Sequence, residues 1–356
     1  MKSAVLVAAL LAAAGPVAAQ PIPIDTTPSA DEERSIFTLQ VENDYFNLFG
    51  RTDRDYTNGL RIAWLSPALP DLPDGVARLV TLPTVFGEDP VTSVTRRLGL
   101  SIGQNLYTPA NTDTFQPVFN DRPYAAWLYA SVALQSTYKR SDPKTGEDDP
   151  VRLDTLQLDL GMVGPAAGGA FVQNNFHRFI NDNTANGWAF QLHNEPTVNL
   201  DFERRWRVAH GVVFDDPKLE YDFVPIFGLN AGNVLDAVSV GGIVRIGKEL
   251  RADFGPPRAR PALPGSEGFI GEGFGWYVFF GLTGEAVAHN MFLDGNTDGN
   301  DIVHVTHRPF VGEGTLGATI LFRGVRVSFT QVFRSPEFYE QDRFDQFASI
   351  NVSFRY

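Results

Sequence analysis

The chain has 356 residues, no cysteine and a net charge of −13 at pH 7. That length allows one large domain or two ordinary ones, and the missing cysteines remove disulfide and thiol chemistry. The acidic balance argues against a nucleic-acid binder, whose contact faces are basic.

The first element is a leader. Lys2 precedes an apolar run from Ala4 to Ala14, and Val17-Ala18-Ala19 has the small-residue form of a cleavage site. Residues 1–19 are therefore predicted to be a secretory signal peptide. The run is too short to cross a bilayer as a helix, which takes ~20 residues. No later apolar stretch approaches that length, so a membrane contact would be at the surface or through a β-barrel. Residues 20–34 read as an N-terminal segment and 35–356 as one domain, because no linker divides two cores.

The remaining elements alternate. Phe37, Leu39 and Val41 are separated by Thr38, Gln40 and Glu42; Leu60, Ile62 and Trp64 follow, then Leu98, Leu100 and Ile102. Leu156, Leu158, Leu160 and Met162 oppose Thr155, Gln157 and Asp159. Weaker runs lie near Tyr124–Tyr138, Trp188–Arg204, Leu219–Phe227, Ala237–Gly247, Gly275–Ala288, Thr315–Phe322 and Gly324–Val332. The last run sets Ala348, Ile350, Val352, Phe354 and Tyr356 against Ser349, Asn351, Ser353 and Arg355. Such alternation over about ten residues marks a transmembrane strand, one face in lipid and one in a polar lumen. The runs predict an all-β fold, a transmembrane antiparallel β-barrel of about twelve strands. Loops rich in Pro, Gly and Asp join them, and the five tryptophans are expected in interfacial girdles.

One stretch departs from the period. GGAFVQNNFHRFIN, Gly168 to Asn181, reads as a short helix in an extracellular loop, with Gln173 and His177 four apart on one face. With both termini periplasmic, connections 1–2, 3–4 and 5–6 reach the outer rim. They bring Glu42, Asn43, Asp44, Thr57, Asp121-Arg122, Gln173 and His177 to one end. The strand phase predicts Glu42, Asp44 and Thr57 on the lumen side and Asn43 on the other. Asn43 and Asp44 are also ordinary turn residues, and Asp53 and Asp55 read as loop chemistry. The remaining histidines show no ligand spacing. DGNTDGND, Asp294 to Asp301, begins like a calcium loop but carries Val305 at position twelve, so it reads as a plain loop.

GRTDRDYTNGL after END, then GQNLYTP, DRPYAAWLY, GMVGPAAGG, QNNFH, GWAFQL and FLDGNT, in this order, resemble the outer-membrane lipid A 3'-O-deacylase family across nearly the whole mature chain. The resemblance implies a bacterial outer-membrane barrel, acting as a monomer on lipopolysaccharide amid outer-membrane lipid. It would hydrolyse an ester-linked acyl chain of lipid A. It implies a histidine that activates water and a bound Ca2+ that, with an amide, stabilises the oxyanion. Carried over by position, the catalytic set is His177, Gln173, Asn43 and Thr57, and Asp44 is the metal ligand. An imidazole, titrating near pH ~6.5, suits general-base work at neutral pH. The family pattern has a basic pair after the YTP-type motif and an acid six residues beyond the histidine, where this chain has Thr114-Phe115 and Asn183. Arg122 is the substitute candidate for substrate phosphate, or a structural partner of Asp121. The competing readings are a non-catalytic barrel (a channel or a lipopolysaccharide-binding protein) and a phospholipase-type esterase, whose His-x-Ser dyad is not found here.

Overall fold

A computed structural model describes residues 32–48, 54–69, 91–141, 148–181, 183–214, 216–257, 268–271 and 273–356. The signal peptide, most of the segment 20–34 and Asp53 lie outside the described residues.

Thirteen strands run in chain order: β1 (Ile36–Asn43), β2 (Asp55–Leu65), β3 (Ser93–Thr108), β4 (Ala125–Ser141), β5 (Asp148–Val163), β6 (Glu195–Trp206), β7 (Ala209–Val213), β8 (Asp216–Gly232), β9 (Leu235–Lys248), β10 (Gly275–Asn290), β11 (Phe310–Phe322), β12 (Val325–Arg334) and β13 (Asp345–Arg355). β6 and β7 both pair with β8, at successive positions along it, and so form one interrupted strand. The sheet thus has twelve staves, and it closes where β1 pairs antiparallel with β13, Ile36 opposite Arg355. Closure removes every sheet edge, as a lipid environment without hydrogen-bonding partners demands.

The alternation sorts the side chains. Leu60, Ile62, Leu100, Ile102, Leu158 and Leu160 are exposed on the outer wall, an apolar belt. Thr38, Gln40, Arg61, Gln157 and Asp159 are buried on the inner wall. Arginine–carboxylate pairs brace that interior, including Arg205–Glu203 at 2.7 Å and Arg334–Glu313 at 2.9 Å.

The chain also fills its own lumen. On the periplasmic side the segment after β9 turns inward: Asp253 accepts hydrogen bonds from Arg326 (3.2 Å) and the Tyr277 hydroxyl (2.9 Å), and Phe254 packs on Leu153 and Val224. At the outer mouth a single helical turn, Met291–Asp294, lowers Phe292 onto Tyr107, ring centroids 4.0 Å apart.

Two tryptophans depart from the girdle expectation. Trp127 lies inside the lumen, stacked on Tyr129 at 4.1 Å. Trp188 is buried in a 3-10 turn, Gly187–Phe190, where a strand was predicted to begin; β6 starts only at Glu195.

Candidate active site at the outer rim

The predicted helix forms as α1, Gly169–Ile180. It ends at Asn181, whose φ of 57° places it in the left-handed region that stops helices. Its buried residues among those described are Gly169, Gln173 and His177, one every four positions, while Phe171 and Phe179 are 73% and 84% exposed. A helix in water would bury its phenylalanines. This one turns its polar stripe to the barrel and its aromatics outward.

The wall beneath explains the inversion. One rung of the sheet runs Asn43–Asn58–Leu106–Ala126 across β1 to β4. Leu106 shares its phase with exposed Leu100 and Ile102, and Ala126 shares its phase with exposed Leu128, so this is the outer, lipid-side face. α1 lies on the outside of the barrel. Leu106, Tyr124, Ala126, Ala167, Ala185 and Trp188 cluster under it. A Cβ at Gly169 would come within 2.5 Å of both the Ala126 Cβ and the Trp188 ring, so only glycine allows this approach.

The hydrogen bonds fix which atoms each polar group offers. His177 directs Nδ1 at the backbone carbonyl of Asn183. A carbonyl can only accept, so Nδ1 carries the proton and Nε2 the basic lone pair. The Trp188 indole N–H donates to the Gln173 side-chain oxygen at 2.8 Å, leaving the NH2 of that amide as its donor end. The Asn43 oxygen accepts from the Tyr45 backbone N–H at 2.7 Å, and its NH2 is likewise the donor end. Thr57 and Thr108 hydroxyls lie 2.6 Å apart. Asp44, 2% exposed, accepts the Arg54 backbone N–H at 3.1 Å.

Thr57 corrects the sequence reading, which put it on the lumen side. The β2–β3 register jumps between Tyr56, opposite Tyr107, and Asn58, opposite Leu106. Thr57 is the extra residue of a bulge. Tyr56 takes the inward place, donating to Glu42, and Thr57 turns to Thr108, the residue after inward-facing Tyr107. Asn43, which seemed out of phase, lies on the same outer face as α1.

Arg122 is also corrected. It is 0% exposed and sits over the lumen, its guanidinium 2.6 Å from Glu337 and 3.2 Å from Asp55. Asp121 instead accepts the backbone N–H groups of Arg122 and Ala110, both at 2.8 Å. Asp55 is thus no loose loop residue but half of a buried brace. Sequence reasoning missed Trp188 and Asn183 as positioning groups. The first lies inside the GWAFQL motif; the second acts through its backbone, which no side-chain pattern reveals.

For a hard cation Asp44 has the right character, a buried carboxylate in a chain without cysteine thiolates. Among the described residues no group of three His, Cys, Asp or Glu gathers to hold a metal, so carbonyls and water would complete such a site.

A closed barrel with an apolar outer belt, a filled lumen and a polar site on its lipid-side rim defines an outer-membrane protein. The chain belongs to the LpxR family: the family model described as outer membrane protein LpxR matches residues 5–356. LpxR from Salmonella typhimurium shares the fold, at 23% identity and a TM-score of 0.68 over 90% of this chain and 99% of that one. The β domain of the Bordetella autotransporter BrkA aligns at 11% identity and a TM-score of 0.44, over 91% of this chain and 98% of that one. No curated protein matches the chain.

Proposed function

We propose that the protein is an outer-membrane ester hydrolase that removes an acyl chain from lipid A of lipopolysaccharide, a lipid A 3'-O-deacylase. The observation that carries this reading is His177: a buried imidazole with its basic nitrogen defined, facing the lipid side of the wall beside Gln173. Family membership supports it, and the filled lumen argues against a channel.

In this reading Nε2 of His177 takes a proton from water as its oxygen attacks the ester carbonyl carbon. The Asn43 NH2 donates to the developing oxyanion, and Gln173 and Thr57 orient the water. Collapse releases the fatty acid and returns the proton to the departing sugar oxygen. Ca2+ held by Asp44 would supply Lewis-acid stabilisation of that oxyanion. With Arg122 buried, Arg178, exposed next to His177 on α1, is a cation available to a lipid A phosphate.

The test is expression in a lipopolysaccharide-producing host with calcium supplied, and mass spectrometry of lipid A. Wild type should lower the acyl number and His177→Ala should not. A folded wild-type chain that never changes acyl number overturns the reading.

A further inference from the structure

Several buried carboxylates in the lumen face an arginine: Glu203 faces Arg205, Asp253 faces Arg326, and Glu313 faces Arg334. Asp159 and Asp201 do not. They are 3% and 2% exposed, on adjacent strands β5 and β6, and no Lys or Arg among the described residues comes within ion-pair distance of either. Arg61 acts on Asp159 only at longer range.

Amides surround them instead. Gln157 donates to Asp159 at 2.7 Å, Asn199 donates to Asp201 at 2.8 Å, and Asn230, opposite Asp201 on β8, also donates to Asp201. Asn230 is 5% exposed, yet its side-chain oxygen has no hydrogen-bond partner. Two buried carboxyls side by side cannot both be charged unless a cation lies between them; otherwise they share a proton. A half-turn of the Asn230 amide exchanges its nitrogen for the orphan oxygen beside Asp201, which converts a donor into an oxygen ligand.

We propose that Asp159, Asp201 and the Asn230 side-chain oxygen form a divalent-cation site inside the barrel. Its two carboxylates line a cavity together with Trp127, Tyr107 and Phe292. Two carboxylates and an amide oxygen are the donor set of a calcium-like ion, with water filling the remaining positions. The ion would tie β5, β6 and β8 together just below the outer plug.

The site is tested on the whole barrel in detergent micelles, in an Asp44→Asn background that removes the rim carboxylate. Tb3+ is the probe, because Trp127 lines the same cavity and can sensitise its luminescence. Saturable luminescence displaced by Ca2+ is expected, lost in Trp127→Phe and weakened about tenfold or more by Asp201→Asn. Asn230→Asp should tighten binding by adding a third carboxylate, and it decides the matter if Asp201→Asn fails to fold. Absence of Tb3+ and Ca2+ binding, or affinity indifferent to both substitutions, overturns the proposal and leaves a shared proton between the carboxyls. Neither result bears on lipid A deacylation, which is read from His177.

Discussion

The indole N–H of Trp188 donates to the side-chain oxygen of Gln173 at 2.8 Å, and that bond sets which end of the amide faces the cleft. Trp188→Phe keeps the aromatic packing on Tyr124 and removes the donor. Lost hydrogen bonds of this kind cost ~1 kcal/mol, so kcat for deacylation should fall roughly five- to tenfold with KM little changed. Unchanged kcat would show that Gln173 needs no such restraint.

Gly169 is the contact on which α1 rests. Gly169→Val forces the helix away from Ala126 and Trp188, where even a Cβ has only 2.5 Å. Displacing a base by ~1 Å can cost about 10²-fold in rate. The expected outcome is a folded barrel, heat-modifiable on gels to the same extent as a wild-type control, with activity reduced by that order.

Arg122 gives a prediction about stability. Removing one member of a buried ion pair costs ~3–5 kcal/mol because its partners remain charged and dry. Arg122→Met should lower the urea midpoint by a corresponding amount, leaving Asp55 with only Arg54 at 3.8 Å and Glu337 with Arg334 alone. A variant of normal stability and raised KM would restore Arg122 to the substrate.

Asp294 joins two histidines at the outer plug. His307 Nδ1 lies 2.6 Å from one oxygen, and His289 Nδ1 3.2 Å from the other, which also accepts the Asn290 N–H at 2.8 Å. Burial opposes ionisation, but the bonds from His289, the Asn290 N–H and His307 outweigh it and hold the carboxyl below its usual range. A depressed folded pKa means the stabilisation is complete above the unfolded value, ~3.9, and is lost as pH falls through the folded one. Hydrogen exchange of residues 295–309 should therefore stay slow from pH 7 down to about 4 and quicken below it. Asp294→Asn should exchange fast throughout.

Metal removal addresses Asp44. Chelation should abolish deacylation, Ca2+ should restore it, and Asp44→Asn should not be rescued. Wild-type activity indifferent to chelators would remove the metal from the reaction.

How much of this was legible in the sequence differs from residue to residue. Alternation such as that of Leu156–Met162 required only that one face meet lipid and the other a polar interior, a local rule, and twelve staves followed. The helix 169–180 was legible because Gln173 and His177 obey a 3.6-residue period inside a 2-residue one. The side of the wall on which the site lies was not. A one-residue bulge at Thr57 reverses the face, and its presence depends on the register between β2 and β3, set by partners about fifty residues away. The structural partner of Arg122 was misread for a similar reason, since Glu337 lies 215 positions along the chain and meets it only when the barrel closes. Composition and period thus determined the barrel and its outer-rim loops. Closure and register decided which oxygens and nitrogens face lipid, because a strand fixes its own two faces but not its neighbour's alignment.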